Sequence, residues 1–282
     1  MIGSVYRTSA GREAVEAAYD EFLRHWPVPM ERLRVPTRLG ETFVVASGPV
    51  DGPPLVLLHG SGTNAAMWAG DVATWAERFR VYAVDLPGEP GHSAAVRPPL
   101  GSDEHAGWLD DVLDGLGAGS VALVGASLGG WLATDYAARR PARVTRLVLL
   151  CPGGIGRQKY GWLLPALLLR PFGEWGMRRQ LALVAGVRGA AMRPVADYMS
   201  LIFRHFKPRT ERLPIFPDAT LATLTVPVLV IAGERDAMLD SRETLRRVAA
   251  AVPHAETVLL PGVAHAVLGQ ASRIHVFLTA GR

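Results

Sequence analysis

The sequence predicts an α/β fold in which a mainly parallel sheet is flanked by helices and interrupted by an all-helical insert. Short apolar runs bounded by Pro or Gly recur along the chain and alternate with segments of helical spacing. This alternation is typical of strands buried on both faces of a parallel sheet. It stops between residue 155 and about residue 220, where helical pieces are separated by Pro and Gly. An insert of this length exceeds what a connection between two strands requires.

The elements follow from these patterns in chain order. Residues 11–25 predict a first helix, because Val15, Tyr19 and Leu23 share one face, and residues 42–46 predict a short β-branched strand. Six buried strands are predicted at residues 55–58, 80–85, 120–125, 144–150, 227–232 and 256–260. Helices are predicted between most of them, at about residues 65–79, 103–117, 127–140, 241–251 and 267–279.

These elements predict a discontinuous core. Residues 1–154 form its first part, residues 155–220 a helical cap and residues 221–282 its second part. Open α/β sheets bind ligands beyond the carboxyl ends of their strands, so we expect the cap to cover that edge.

Composition excludes several classes of protein. Of the 282 residues, 49% are hydrophobic and 20% charged, with a mean hydropathy of +0.17, so a sizeable core is expected rather than disorder. The net charge of +4 involves no long basic run, and no nucleic-acid partner is expected. It divides unevenly: residues 155–213 carry eleven Lys/Arg against three Asp/Glu, a net of +8, which leaves −4 elsewhere.

Cysteine usage and hydropathy bear on location. The single cysteine, Cys151, excludes an internal disulfide, and we interpret it as a small buried hydrophobe rather than a nucleophile. Residues 115–134 are uncharged but contain six glycines, which indicates a strand and a helix of the core rather than a membrane span. Residues 1–18 lack the apolar region of a signal peptide. We expect a cytoplasmic location and no stable membrane insertion.

The pattern G-x-S-x-G at Gly125, Ser127 and Gly129 is the strongest indication of chemistry. It falls between a predicted strand and a predicted helix, where a serine on a tight turn needs small neighbours. A serine hydroxyl becomes an effective nucleophile when a base accepts its proton and a carboxylate orients that base. Both partners are expected after Ser127 in the chain.

His265 is the predicted base, because it lies in the loop between the last strand and the last helix. Asp236 is the predicted acid, because it follows the strand at 227–232 and gives the order Ser, Asp, His. Glu234 and Asp240 remain alternatives to Asp236 at this point.

A tetrahedral intermediate also needs preorganised N–H donors. We predict an oxyanion hole formed by the backbone N–H groups of Leu128 and Ser61, with Gly62 as an alternative to Ser61. His59, in the same loop, is interpreted as a residue that braces the backbone.

At this point the sequence resembles α/β-hydrolase fold enzymes with a helical cap, in the serine carboxylesterase-like group. The resemblance rests on His59-Gly60-Ser61-Gly62, Asp85-Leu-Pro-Gly88 with Gly91-His-Ser93, Gly125-Ala-Ser127-Leu-Gly129-Gly130, Gly233-Glu-Arg-Asp236 and Gly262-Val-Ala-His265. It implies an eight-stranded-type sheet, Ser127 as nucleophile, Asp236 as acid and His265 as base. Two departures stand out: Ala264 replaces a common Gly, and the loop Gly88-Glu-Pro-Gly91 is longer than in many members.

The resemblance predicts hydrolysis of small-molecule carboxylic esters with an apolar acyl or aryl group, through an acyl-enzyme on Ser127. No metal and no organic cofactor is expected. The same triad also serves C–C, lactone or amide hydrolysis, acyl transfer and perhydrolysis, and some relatives of the fold are receptors without turnover. These alternatives remain open, as does the oligomeric state.

Four aromatic residues of the cap are candidates for a substrate pocket, namely Trp162, Phe172, Trp175 and Phe203; the alternative is that such aromatics form the core of the cap itself. Its apolar run beginning at Trp162 is interpreted as a helix packed on its own domain, with the arginines solvated. An interfacial element, an acyl-chain wall and a dimer contact are the alternatives.

Overall fold

Residues 5–280 are described by a computed structural model, and their core is a single eight-stranded sheet. The strands are β1 (Met30–Thr37), β2 (Gly40–Ser47), β3 (Pro54–Leu58), β4 (Arg80–Val84), β5 (Val121–Ala126), β6 (Val144–Leu150), β7 (Val228–Gly233) and β8 (Glu256–Leu260). Their order across the sheet is β1-β2-β4-β3-β5-β6-β7-β8. Strands β3 to β8 are parallel, and β2 runs antiparallel to both its neighbours. The predicted fold class is confirmed.

The helices lie where the sequence places most of them. They are α1 (Ser9–Arg24), α2 (Val72–Ala76), α3 (Glu104–Gly115), α4 (Leu128–Arg139), α5 (Leu163–Leu169), α6 (Gly173–Val184), α7 (Arg193–His205), α8 (Asp218–Leu221), α9 (Ser241–Ala251) and α10 (Ala271–Thr279). Within the uncharged stretch 115–134, residues 121–126 lie in β5 and residues 128–134 in α4, as expected. Among the helices of residues 5–280, none has the length and apolar character needed to cross a bilayer.

The first strand, β1, is absent from the sequence prediction, which is wrong in this respect. It forms an antiparallel hairpin with β2, in which Thr37 pairs with Gly40. It lies at the edge of the sheet, and only Val35 of its eight residues is buried. An edge strand with this little burial lacks the apolar run by which the inner strands are recognised.

The apolar runs of the inner strands reflect burial on both faces of the sheet. In β3, Leu55 and Leu57 join the hydrophobic cluster that includes residues of α1, α2 and α10. The alternate residues, Val56 and Leu58, join the cluster that includes residues of α3, α4 and α9. Because successive side chains point to opposite faces, a four-residue run supplies both layers.

The helical segment α5–α7 lies between β6 and β7 and has a small apolar cluster of its own, centred on Leu181, Val187 and Ala196. Helix α7 also contacts the loop after β3: the side-chain amide of Asn64 donates to Tyr198 Oη at 2.6 Å. The division into residues 1–154, 155–220 and 221–282 remains a prediction. Residues 1–4, 281 and 282 lie outside the described residues.

Helix α5 departs from the expected packing. None of its residues is buried, and the four large exposed side chains are Leu163, Leu164, Leu167 and Leu168. Helix α5 contacts α6, so the expected packing on its own domain holds in part, but these four leucines stay exposed.

Candidate active site

Ser127 lies at the sharp turn between β5 and α4, in the middle of the sheet. Its φ of 52° and ψ of −108° belong to a region that L-residues rarely occupy, at a cost of about 1–3 kcal/mol. Backbone hydrogen bonds hold this conformation: the Ser127 N–H donates to the Leu150 carbonyl at 2.9 Å, and the Ser127 carbonyl accepts from Trp131 N–H at 3.0 Å. The turn places the hydroxyl beyond the carboxyl end of β5.

The two glycines of the G-x-S-x-G pattern are required by close backbone approach. A Cβ on Gly125 would lie 2.4 Å from the Gly129 carbonyl oxygen, and one on Gly129 would lie 2.1 Å from the Leu58 carbonyl oxygen. Both distances are far inside van der Waals contact, so any side chain here would displace the turn that carries Ser127.

The structure brings Ser127, His265 and Asp236 into one hydrogen-bonded chain. The Nε2 atom of His265 lies 3.1 Å from Ser127 Oγ, and its Nδ1 lies 2.7 Å from Asp236 Oδ2. Asp236 follows β7 and His265 follows β8. The sheet therefore brings His265 together with Ser127, 138 positions earlier, and with Asp236, 29 positions earlier. A hydroxyl, an imidazole and a buried carboxylate in this order can transfer the hydroxyl proton to the imidazole.

The environment of Asp236 favours its ionised form. Burial opposes ionisation, but the hydrogen bond from His265 and those from the Met238 and Leu239 N–H groups outweigh it and hold the pKa of Asp236 below its ordinary value. The two backbone groups reach Oδ1 at 2.7 and 3.0 Å, which leaves Oδ2 for the imidazole. With Asp236 charged, Nδ1 of His265 carries the proton and Nε2 is free to accept one.

The two alternatives to Asp236 have other partners. Glu234 bonds Arg242 and the Gly262 N–H, and Asp240 caps α9 by accepting from the Glu243 N–H at 3.1 Å. Of these three carboxylates, Asp236 is the one in contact with His265.

His59 braces the backbone, as its position in the sequence suggests. Its ring is fully buried, and Nε2 accepts from the Leu86 N–H at 2.9 Å. Burial lowers the pKa of His59, which keeps the ring neutral and its Nε2 lone pair available. The ring therefore ties the loop after β3 to the loop after β4.

A further acidic residue, Glu89, lies against the loop 59–62 that follows β3 and carries the predicted donor Ser61, here called the oxyanion loop. Its Oε2 accepts from the Gly62 N–H at 2.6 Å and lies 3.2 Å from Ser61 Oγ, and the residue is 3% exposed. The loop 88–91 is longer than in many α/β-hydrolases, but its sequence predicts no role for Glu89. A single glutamate among Gly and Pro residues was the one sequence feature that marked this loop. The contact between Glu89 and Gly62 joins residues 27 positions apart, so the local sequence pattern does not predict it.

Burial of Glu89 makes stability depend on pH. Burial raises the pKa of Glu89 to about 6, so the folded chain binds a proton more tightly than the unfolded chain. The free energy of unfolding of wild type therefore decreases as pH rises from about 4.5 to about 6. The total decrease is about 2 kcal/mol and is complete by pH 8. Since Glu89→Gln lacks this titration, its stability relative to wild type is expected to increase by about 1 kcal/mol between pH 5 and pH 8. Urea unfolding at both pH values measures this, and a constant difference contradicts it.

The predicted pocket aromatics separate into two groups. Phe203 lies against the oxyanion loop, since a Cβ on Gly62 would meet its ring at 3.0 Å. Phe172 and Trp175 pack edge-to-face on each other at 5.7 Å and are 61% and 62% exposed. Trp162 is half-buried and precedes α5. A pocket role for all four residues stays a prediction.

Cys151 completes a group of potential metal ligands. Its sulfur and one ligand atom each of Asp236 and His265 lie within 4.8 Å of one another. Burial raises the pKa of the Cys151 thiol far above its ordinary value, which disfavours the thiolate that a metal requires, and Asp236 is already hydrogen-bonded on both oxygens. The residues present therefore suit proton transfer better than metal binding.

The sheet order, the serine turn and the Ser–His–Asp contacts define an α/β-hydrolase, and the chain belongs to the alpha/beta hydrolase family, which it matches over residues 55–275. Carboxylesterase YbfK of Bacillus subtilis (strain 168) is 32% identical over 270 residues, which cover 88% of this chain and 86% of that protein. The crystal structure of carboxylesterase CesB (YbfK) from Bacillus subtilis matches with a TM-score of 0.86 and 30% identity, covering 97% of this chain and 100% of that one. Naproxen esterase (carboxylesterase NP) from Bacillus subtilis matches with a TM-score of 0.78 and 29% identity, covering 96% and 97%. The family resemblance is confirmed.

Proposed function

We propose that this protein hydrolyses carboxylic esters of small molecules through an acyl-enzyme formed on Ser127. The observation that carries the proposal is the unbroken hydrogen-bonded chain from Ser127 Oγ through His265 to the buried carboxylate of Asp236. Similarity to carboxylesterases along almost the whole chain supports the choice of ester substrates.

In the proposed first step, Ser127 Oγ attacks the ester carbonyl while neutral His265 takes the hydroxyl proton at Nε2. The imidazolium that forms is stabilised by Asp236, whose carboxylate is held in place by the Met238 and Leu239 N–H groups. His265 then donates the proton to the leaving alcohol. Water then loses a proton to the same imidazole and attacks the acyl carbon. The bond between that carbon and Ser127 Oγ breaks, His265 returns the proton to Oγ, and the acid is released.

The backbone N–H groups of Ser61 and Leu128 are the proposed oxyanion donors. Within residues 5–280, neither group donates to a protein acceptor, whereas the Gly62 N–H is bonded to Glu89. The site therefore favours Ser61 over the alternative Gly62. Leu128 opens α4, where the helix dipole adds to the attraction for a developing anion. Each donor is worth about 3 kcal/mol of transition-state stabilisation.

The substrate proposed is an ester with an apolar acyl or aryl group, which Phe203 would contact beside the oxyanion loop. Trp162, Phe172 and Trp175 are proposed as outer parts of the same pocket, on a cap that covers the site. The cap is joined to the histidine loop, since the His265 N–H donates to the Val184 carbonyl at 3.4 Å and the Ala266 N–H to the Ala185 carbonyl at 3.1 Å. A cytoplasmic location belongs to the same proposal and is tested by cell fractionation.

The proposal is tested with a series of p-nitrophenyl esters from acetate to decanoate and with a fluorophosphonate probe. We expect turnover of the esters and a probe adduct on the peptide that contains Ser127, because both require the same activated hydroxyl. Faster turnover of a C–C, lactone or amide substrate would assign the triad to a different reaction. Absence of both turnover and labelling would contradict an enzymatic role and favour a receptor.

A further inference from the structure

The loop that carries Glu89 is held rigidly beside the oxyanion loop. The Arg97 side chain donates from Nε to the Gly88 carbonyl at 2.9 Å, and the Gly88 φ of 74° fixes the turn before Glu89. After Glu89, Gly91 packs so closely on Asp85 that a Cβ would lie 2.3 Å from its Oδ2. Asp85 in turn accepts from the Ala65 N–H at 2.8 Å, a few residues after the oxyanion loop. These contacts hold the backbone on both sides of Glu89, so its carboxylate has a defined position beside the oxyanion loop.

The oxyanion loop is held from two sides at Gly62. On one side its N–H donates to Glu89 Oε2, and on the other the Phe203 ring fills the space in which a Cβ would lie. The Gly62 φ of 71° is in the left-handed region, so this residue permits a conformation that other residues resist. The N–H of the preceding residue, Ser61, donates to no protein acceptor within residues 5–280.

We propose that Glu89 is a positioning residue, which by accepting the Gly62 N–H fixes the oxyanion loop so that the Ser61 N–H points at the developing oxyanion. This inference rests on the proposed function, because it assigns Glu89 to the transition state of that reaction. Glu89 does not itself touch the substrate. It acts through the Ser61–Gly62 peptide.

The remaining contacts of Glu89 argue against a purely structural role. Its second oxygen, Oε1, is buried and has no hydrogen-bond partner among the described residues, which is costly for a carboxylate. Burial raises the pKa of Glu89 to about 6, although Arg97 and Arg209 favour the charged form. A side chain selected for stability alone would not leave a buried acceptor unpaired, and such exceptions concentrate at functional sites.

Three variants of Glu89 test the proposal through transition-state binding. Glu89→Ala and Glu89→Asp both withdraw the acceptor from the Gly62 N–H. We expect kcat to fall about 10- to 100-fold and KM to change less than about threefold, because an oxyanion donor acts only in the transition state. The inhibition constant of a trifluoromethyl ketone, which forms a tetrahedral adduct with the nucleophile, is expected to rise by the same factor. Glu89→Gln retains an acceptor oxygen and is expected to restore most of both values.

Asp111→Ala is the matched control, because Asp111 also accepts a backbone N–H from a distant loop, that of Arg38 at 2.7 Å. It is expected to leave kcat and the inhibition constant unchanged. The proposal is overturned if Glu89→Asp behaves as wild type, if Glu89→Gln is as impaired as Glu89→Asp, or if kcat and KM change without weaker ketone binding. Should wild type neither turn over esters nor bind the ketone, the proposed function fails first. If wild type is active and the Glu89 variants have the same kcat and inhibition constant as wild type, the role of Glu89 is contradicted and the proposed function stands.

Discussion

Replacing Ser127 with alanine is expected to reduce kcat for a p-nitrophenyl ester by about 10⁶-fold, which is the size of effect seen when the nucleophile of such a triad is removed. The substitution deletes the only atom that forms the acyl bond and leaves His265 without its hydroxyl partner. The oxyanion donors remain, so a small rate above that of water is expected to persist. Steady-state assays with purified variants measure this loss, and intact-mass analysis after fluorophosphonate treatment is expected to show no adduct.

The loss at Ser127 can be separated from misfolding. Alanine has the same Cβ, so the strained φ of 52° and the backbone bonds to Leu150 and Trp131 are retained, and circular dichroism and Tm are expected to match wild type. Ser102→Ala is a suitable control, since the Ser102 hydroxyl donates to the Pro99 carbonyl at 2.8 Å, in a turn away from the triad. A Ser127→Ala protein that kept wild-type kcat would remove Ser127 from the mechanism.

The positions of the triad follow from features that the sequence encodes locally. The runs at 55–58, 120–125 and 227–232 are apolar because β3, β5 and β7 are buried on both faces, and each is bounded by Pro or Gly. Strands of this kind pair in parallel, so their carboxyl ends meet at one edge of the sheet. Ser127 follows β5 and Asp236 follows β7. His265 follows β8, where the prediction of a buried strand is wrong, because β8 lies at the edge of the sheet and none of its residues is buried. The proximity of these three side chains could therefore be predicted from the positions of the strands in the sequence.

Features that depend on distant contacts were not predictable in this way. Strand β1 is recognised by its pairing with β2, because its own residues are largely exposed. The role of Glu89 depends on a bond to Gly62, 27 positions earlier, and on burial that no local pattern reports. Helix α5 shows the converse: its apolar composition indicates burial, but none of its residues is buried among residues 5–280.

Replacing Asp236 with asparagine is expected to lower kcat by about 10⁴-fold, while KM changes little. The reason lies in the fixed orientation of the new amide. The Met238 and Leu239 N–H groups both require an acceptor at the position of Oδ1, so the amide oxygen must occupy it and the NH₂ group must face His265. An NH₂ group donates to Nδ1, which forces the proton of the neutral imidazole onto Nε2. That nitrogen then cannot accept the Ser127 proton.

Two variants control for the loss of a carboxylate near the site. Asp240→Asn should retain activity within about threefold, because asparagine caps a helix as well as aspartate does and Asp240 serves α9. Glu234→Gln, which alters an exposed pair with Arg242, is expected to behave likewise, since such pairs contribute about 0–1 kcal/mol. The acid assignment fails if either of these variants loses activity while Asp236→Asn keeps it. A loss confined to Asp236→Asn, with unchanged Tm and KM, locates the effect in the imidazole tautomer, because the fold and the substrate contacts are then intact.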